Sequence, residues 1–146
     1  MTRINIIPPK QLMDQHLIAE YREIRLLTAN LQRTLESKKG FQEKKVPKNY
    51  KLDVGHVYFF FPKGKYIHKR YEEIRKEMSN RGFANELEFE RDKWPDFLYN
   101  DWVPELTDYS VIHERIRERI NAKPHFYKYY GKNINRIYYG PTNSDI

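Results

Sequence analysis

Gln15, His16, Arg22 and Glu23 bring an amide, an imidazole, a guanidinium and a carboxylate into one short stretch. Gln15 and Arg22 stand seven positions apart, as do His16 and Glu23, so on a helix the four gather within two turns, beside and behind an apolar stripe. A carboxylate next to a guanidinium stays ionised, and taken alone a solvated face with ordinary ion pairs is the simpler reading. The cluster becomes a site only with a partner. A chain end held beside it would set an α-amine and Arg3 against Arg22 and Glu23. The reference pKa of an α-amine, about 7.7–8.0, lies far below that of lysine, so free base is present near neutral pH. Cations such as Arg3 and Arg22 would lower it further. Such an amine can attack the anomeric carbon of a nucleotide, expel the base and leave a Schiff base with the opened sugar. Elimination of the 3′ phosphate then breaks the strand. A carboxylate is needed to stabilise the cationic sugar and to move protons, and Glu23 fits that role. The scheme calls for no metal and no cofactor, and the five histidines are scattered rather than grouped as ligands.

Two further groups bear on what such a site would hold. Arg115, Arg119 and Lys123 recur at intervals of four, a basic line along one helix flank that can follow a phosphate backbone, with Arg117 turned elsewhere. Pairing with Glu114 and Glu118 in solvent is the equal alternative. After it comes His125-Phe126-Tyr127-Lys128-Tyr129-Tyr130-Gly131-Lys132, where lysines and a glycine interleave with rings. Tyr127, Lys128 and Tyr129 read as part of a loop facing nucleic acid, since rings beside cations stack on or wedge between bases. A ring cluster closing the core is the bland alternative. His56, in Gly55-His56-Val57, reads as a structural hydrogen-bonding residue rather than a catalyst. A net charge of +7 and a pI near 9.5 suit a polyanionic partner without proving one.

Several elements must position these groups. Met13, Leu17, Tyr21, Ile24, Leu27, Leu31 and Leu35 recur at three and four, predicting a long helix from about Gln11 to Ser37, with Pro8 and Pro9 before it and Gly40 as its stop. Met1 to Ile7 is then a short extended arm. Ile67, Tyr71, Ile74 and Met78 predict a second helix over about 65–81, opened by Pro62-Lys63-Gly64 and closed by Gly82. Ile112, Ile116 and Ile120 predict a third over about 109–122, capped by Thr107 or Asp108 and ended by Pro124. Val57-Tyr58-Phe59-Phe60-Phe61 is too short for a helix and has no partner strand, so it reads as buried connection. Ala84 to Glu105 is aperiodic, a loop pinned by Trp94 and Trp102, and the polar end from Asn133 reads as a mobile tail. The expectation is an all-α fold of three helices with long irregular connections, one domain spanning 1–146. Without cysteine there is no disulfide framework and no thiolate nucleophile. No apolar run approaches the roughly 20 residues of a membrane span and the start carries no signal pattern, so an intracellular, cytoplasmic protein with no membrane partner is expected.

Four stretches in order carry a resemblance: Met1-Thr2-Arg3-Ile4-Asn5; Asp14-Gln15-His16-Leu17 with Ala19-Glu20-Tyr21-Arg22-Glu23; Gly55-His56-Val57 with Phe59-Phe60; and Phe126-Tyr127-Lys128-Tyr129-Tyr130-Gly131-Lys132. Together they resemble the pyrimidine-dimer DNA glycosylase and abasic-site lyase family of the phage endonuclease V type. The resemblance implies a compact all-α fold of three helices with the arm threading between them. It implies action on double-stranded DNA containing cis-syn cyclobutane pyrimidine dimers or abasic sites. Met1 would be removed, the α-amine of Thr2 would be the nucleophile, and Glu23 would match the essential carboxylate. Arg3 and Arg22 match residues that hold phosphates near the site, and Arg115, Arg119 and Lys123 match basic positions of the third helix. Gln15 and His16 join the expected DNA-binding set. The duplex would be kinked and the adenine opposite the lesion flipped out, which is easier where a distorted dimer is already poorly stacked. The sequence departs from the family at Leu26, where a second arginine often stands and the charge sits instead at Arg25, and at Phe126, which replaces a tryptophan. A monomer of this mechanism is the leading reading. The rivals are the same mechanism on other lesions, such as ring-opened purines, and a non-catalytic basic DNA-binding protein.

Overall fold

The computed structural model describes residues 4–133. Its described residues form helix α1, Asp14–Glu36; α2, His56–Phe60; α3, Gly64–Asn80; α4, Leu106–Ala122; and a two-stranded ribbon, β1, Lys128–Tyr129, antiparallel to β2, Lys132–Asn133. The class is all-α, as expected. Thr2 and Arg3, and the expected tail beyond Asn133, lie outside the described residues.

The apolar period of α1 is buried at Leu17, Tyr21, Ile24, Leu27 and Leu31. This helix starts later than the expected Gln11. Pro9–Gln11 forms its own 3-10 turn, and Leu12 and Met13 then run extended, with ψ of 147° and 154°. The chain arrives at Asp14 from a turn that the prolines have already set, so the helix cannot be drawn back through it. Helix α3 buries Ile67, Tyr71, Ile74 and Met78 and packs on α1, where Tyr21 and Tyr71 stack at 5.3 Å. It ends in a Schellman turn: Gly82 N–H donates to Ser79 O and Phe83 N–H to Met78 O, with Gly82 at φ 80°. At its start Gly64 is obligatory, because a Cβ there would lie 2.6 Å from the Trp94 ring.

Two further expectations are corrected. The Val57–Phe61 run is buried at Phe59, Phe60 and Phe61, as expected, but it is helical, forming most of α2 and its C-cap, and so the described residues hold one α-helix more than expected. A single turn pairs part of its backbone locally, as when Phe59 N–H donates to Gly55 O and His56 N–H to Asp53 O, and needs no partner strand. The N-cap of α4 is Glu105, earlier than Thr107 or Asp108. Asp108 is the reciprocal partner, accepting the Glu105 N–H at 2.8 Å in a capping box. The aperiodic middle is pinned by aromatics as expected: Trp94 is 1% exposed and donates to Thr28 Oγ1, while Trp102 packs on Phe59, Phe60 and Tyr66. The ribbon was not anticipated. Its turn places Tyr130 and Gly131 at φ 52° and 75°, which is the two-residue hairpin geometry.

Candidate nucleic-acid interface and active site

The arm enters the core as a buried strand of chain, Ile4 to Ile7, between α1 and α3. Burying extended backbone requires donors and acceptors for its peptide groups. Arg70 of α3 supplies them from below. Its Nη1 donates to Ile7 O at 2.6 Å and its Nη2 to Asn5 Oδ1 at 3.0 Å, and Asn5 Oδ1 also accepts the Ile7 N–H. The same guanidinium pairs with Glu20 of α1 through bonds of 2.8 and 2.9 Å. Burial disfavours both charges. The Glu20 carboxylate more than offsets this at Arg70, whose guanidinium is held above its ordinary value. From the other side His56 Nε2 accepts the Ile4 N–H at 3.0 Å, and Tyr50 Oη donates to Ile4 O at 3.0 Å. His56 is thus a hydrogen-bonding residue of the core, as its sequence setting suggested.

Glu20, Glu23 and His16 share one side of α1, at offsets of three and four. Glu20 is fully buried beneath the arm, Glu23 is half-buried, and Arg22 is exposed on the adjoining flank. Glu23 stands just under one turn beyond Glu20 along the helix. His16 is 7% exposed and stacks on Tyr127 with ring centroids 4.7 Å apart. Burial, helped by the Arg119 charge, pushes its pKa down to about 4, so the ring is neutral at physiological pH. Its Nδ1 is buried with no hydrogen-bond partner among the described residues.

Gln15 is spent on the ribbon: its Nε2 donates to Phe126 O at 2.9 Å and its Oε1 accepts the Lys128 N–H at 3.0 Å. Asp14 continues the attachment, accepting the Tyr130 and Gly131 N–H groups at 3.0 and 2.8 Å. Arg81 locks both ends together. It reaches Asp14 and Glu77 at 2.9 and 2.8 Å, and its guanidinium lies over the rings of Tyr129 and Tyr130 at 4.8 and 4.6 Å. Tyr129 Oη also donates to Lys10 O. Burial opposes the charge on Glu77, but donation from Tyr130, Arg81 and Asn80 keeps its carboxyl below the usual range. The aromatic segment is accordingly divided. Tyr127, 9% exposed, has its ring against His16; Tyr129 and Tyr130 flank Arg81; Phe126, at 55%, and Lys128 face solvent.

On α4, Arg115 pairs with Asp53 at 3.1 Å, rather than with Glu114 or Glu118, and holds the Asp53 carboxyl below its usual range. Arg119 and Lys123 are exposed along the same flank, Arg119 on the side of His16. Leu26 is exposed on α1.

The structure thus brings Gln15, His16, Arg119, Tyr127 and Lys128 to one region, while Arg22 and Glu23 lie about two turns further along α1. Sequence reasoning missed Asp14, Glu20, Arg70, Glu77, Arg81 and Tyr50, which hold that region in shape. One signal was available. Glu20, Arg70 and Glu77 occupy positions in register with the apolar stripes, Glu20 between Leu17 and Ile24 and Arg70 between Ile67 and Ile74. Charges in buried register call for opposite charges on a facing helix. The family model for pyrimidine dimer DNA glycosylase matches residues 1–91, which takes in the arm, α1, α2 and α3.

Proposed function

From the premise that the chain belongs to the pyrimidine dimer DNA glycosylase family, a DNA repair family, we propose that it excises the base through its own N-terminal amine and then breaks the strand. In this reading Met1 is removed and the α-amine of Thr2 attacks C1′ of the damaged nucleotide. The N-glycosidic bond breaks with its electron pair leaving on the base, and the sugar ring opens to a Schiff base. Glu23 stabilises the cationic sugar. It then takes the C2′ proton, so that the 3′ phosphate departs by β-elimination. Abasic sites enter the same scheme at the Schiff-base step.

The observation that carries this reading is the anchoring of Ile4. Two peptide units separate it from the Thr2 amine, a reach of about 7 Å at full extension. The anchored arm is tied to α1 through Asn5, Arg70 and Glu20, and Glu23 follows Glu20 by just under one helical turn. Arg3, Arg22, Arg115, Arg119, Lys123 and Lys128 are the proposed phosphate contacts. Gln15, His16, Tyr127 and Tyr129 shape the surface that receives the kinked duplex. The whole chain acts as one domain and as a monomer.

Glu23→Gln tests the assignment, because it removes charge with little change of shape. Losing a stabilising carboxylate in a shielded site costs on the order of 3 kcal/mol of barrier, about a hundredfold in rate. Cleavage and gel-shift affinity on one dimer-bearing duplex should separate, with binding kept and cutting lost. Near wild-type cutting would remove Glu23 from the mechanism.

A further inference from the structure

We propose that His56 is a positioning residue for the excision reaction: it sets the direction in which the chain end leaves the core. The proposal rests on the amine reading above. The Arg70 network fixes the arm at Asn5 and Ile7, but these contacts leave the peptide that precedes Ile4 free to rotate. The Ile4 N–H belongs to that peptide, and its orientation decides where residues 3 and 2 go. His56 Nε2 accepts this N–H at 3.0 Å, with Ile4 2% and His56 1% exposed.

The acceptor is itself held with little freedom. His56 Nδ1 lies 2.7 Å from Lys51 O. A carbonyl only accepts, so Nδ1 carries the proton and Nε2 presents its lone pair to Ile4. Tyr50 and Phe60 press edge-on against the ring at 5.7 and 5.4 Å. Gly55, at φ 87°, begins α2 in a backbone conformation that L side chains rarely adopt, and a Cβ there would lie 2.9 Å from Pro47 Cγ. The left-handed turn, the Lys51 carbonyl and the two rings together aim one lone pair at one backbone N–H. Tyr50 steadies the other side of Ile4 through its carbonyl. Near-attack geometry depends on such constraints, and a misplacement of about 1 Å can cost a hundredfold in rate.

Two substitutions separate positioning from simple support. The amide of His56→Asn can still donate to Lys51 O but falls short of Ile4. His56→Gln places an acceptor where Nε2 stood. With a dimer-bearing duplex, His56→Asn should lower kcat about 10- to 100-fold with KM unchanged, and His56→Gln should restore most of it. Wild-type kcat in His56→Asn, or equal loss in both variants, would overturn the proposal. Should circular dichroism show His56→Asn unfolded, His56→Gln decides: folded with near wild-type kcat supports the assignment, folded and slow overturns it. Wild-type protein with an acetylated N-terminus runs beside them. If it excises at full rate, the amine reading fails and the His56 proposal fails with it. If it is inactive while His56→Asn is not impaired, the positioning role alone is lost.

Discussion

Glu20 and Arg70 meet as a bidentate pair, 2.8 and 2.9 Å, with side chains 0% and 4% exposed, and the spare donors of the guanidinium hold the arm at Asn5 and Ile7. One ion pair therefore joins α1 to α3 and at the same time fixes the segment that leads to the chain end. Removing either partner leaves a buried charge uncompensated. Glu20→Gln and Arg70→Met should each lose about 3–5 kcal/mol in urea denaturation. The Glu20→Leu, Arg70→Met double variant should recover part of that loss, because an uncharged buried pair is tolerated better than half of a charged one. It should not recover activity, since Ile7 O would lack its donor and Asn5 Oδ1 its bond from the guanidinium, so the arm would no longer be tied to α3. Single variants within about 0.5 kcal/mol of wild type would show that the pair is not a structural support.

His16 supplies a pH signature. Its folded pKa, about 4, lies below its ordinary 6.5, so the unfolded chain binds the proton more readily than the folded one. Stability from this group is fully present above pH 6.5 and is lost as pH falls from there toward 4, a change of about 3 kcal/mol across the window. Urea midpoints followed from pH 7.5 to 4 should decline in the wild type and decline less in His16→Gln. Parallel curves for the two proteins would mean that the imidazole is not held neutral against Tyr127.

Arg115 and Arg119 should differ when DNA binding is followed against salt. Each phosphate contact contributes about 0.9 to the slope of log affinity against log salt. Arg119 is exposed and should contribute fully, whereas Arg115 must first share or leave its Asp53 partner. Arg119→Ala should therefore flatten the slope more than Arg115→Ala, and both should weaken damaged and undamaged duplex alike. An unchanged slope in both variants would return the two residues to the role of helix surface charges.

The long helices were legible because their apolar residues recur at the helical period over many turns, as Leu17 to Leu31 and Ile67 to Met78 do. Short elements gave no such signal. The five residues of α2 span little more than a turn, and the ribbon of Lys128–Asn133 depends on Tyr130 adopting a left-handed backbone that its side chain does not announce. In the site, the face carrying His16 and Glu23 followed from spacing alone. The stack of His16 on Tyr127 and the seating of Arg81 between Asp14, Glu77 and two tyrosines did not, because each joins segments far apart in the chain. Buried charges were the more recoverable omission: Glu20 and Arg70 stand in register with apolar neighbours, and only a facing partner makes that position tenable.

The identity of the nucleophile is decided by borohydride reduction during turnover on a duplex carrying a single cis-syn pyrimidine dimer, followed by digestion and mass spectrometry of the trapped complex. The DNA remnant should lie on the α-amine of the peptide that begins at Thr2, and acetylation of that amine should abolish both trapping and strand cleavage. A free amine is available there near neutral pH, whereas an unperturbed lysine, with a pKa of about 10.4, is almost wholly protonated. A remnant on a lysine side chain such as Lys128 or Lys132, with full activity surviving a blocked N-terminus, would contradict the mechanism.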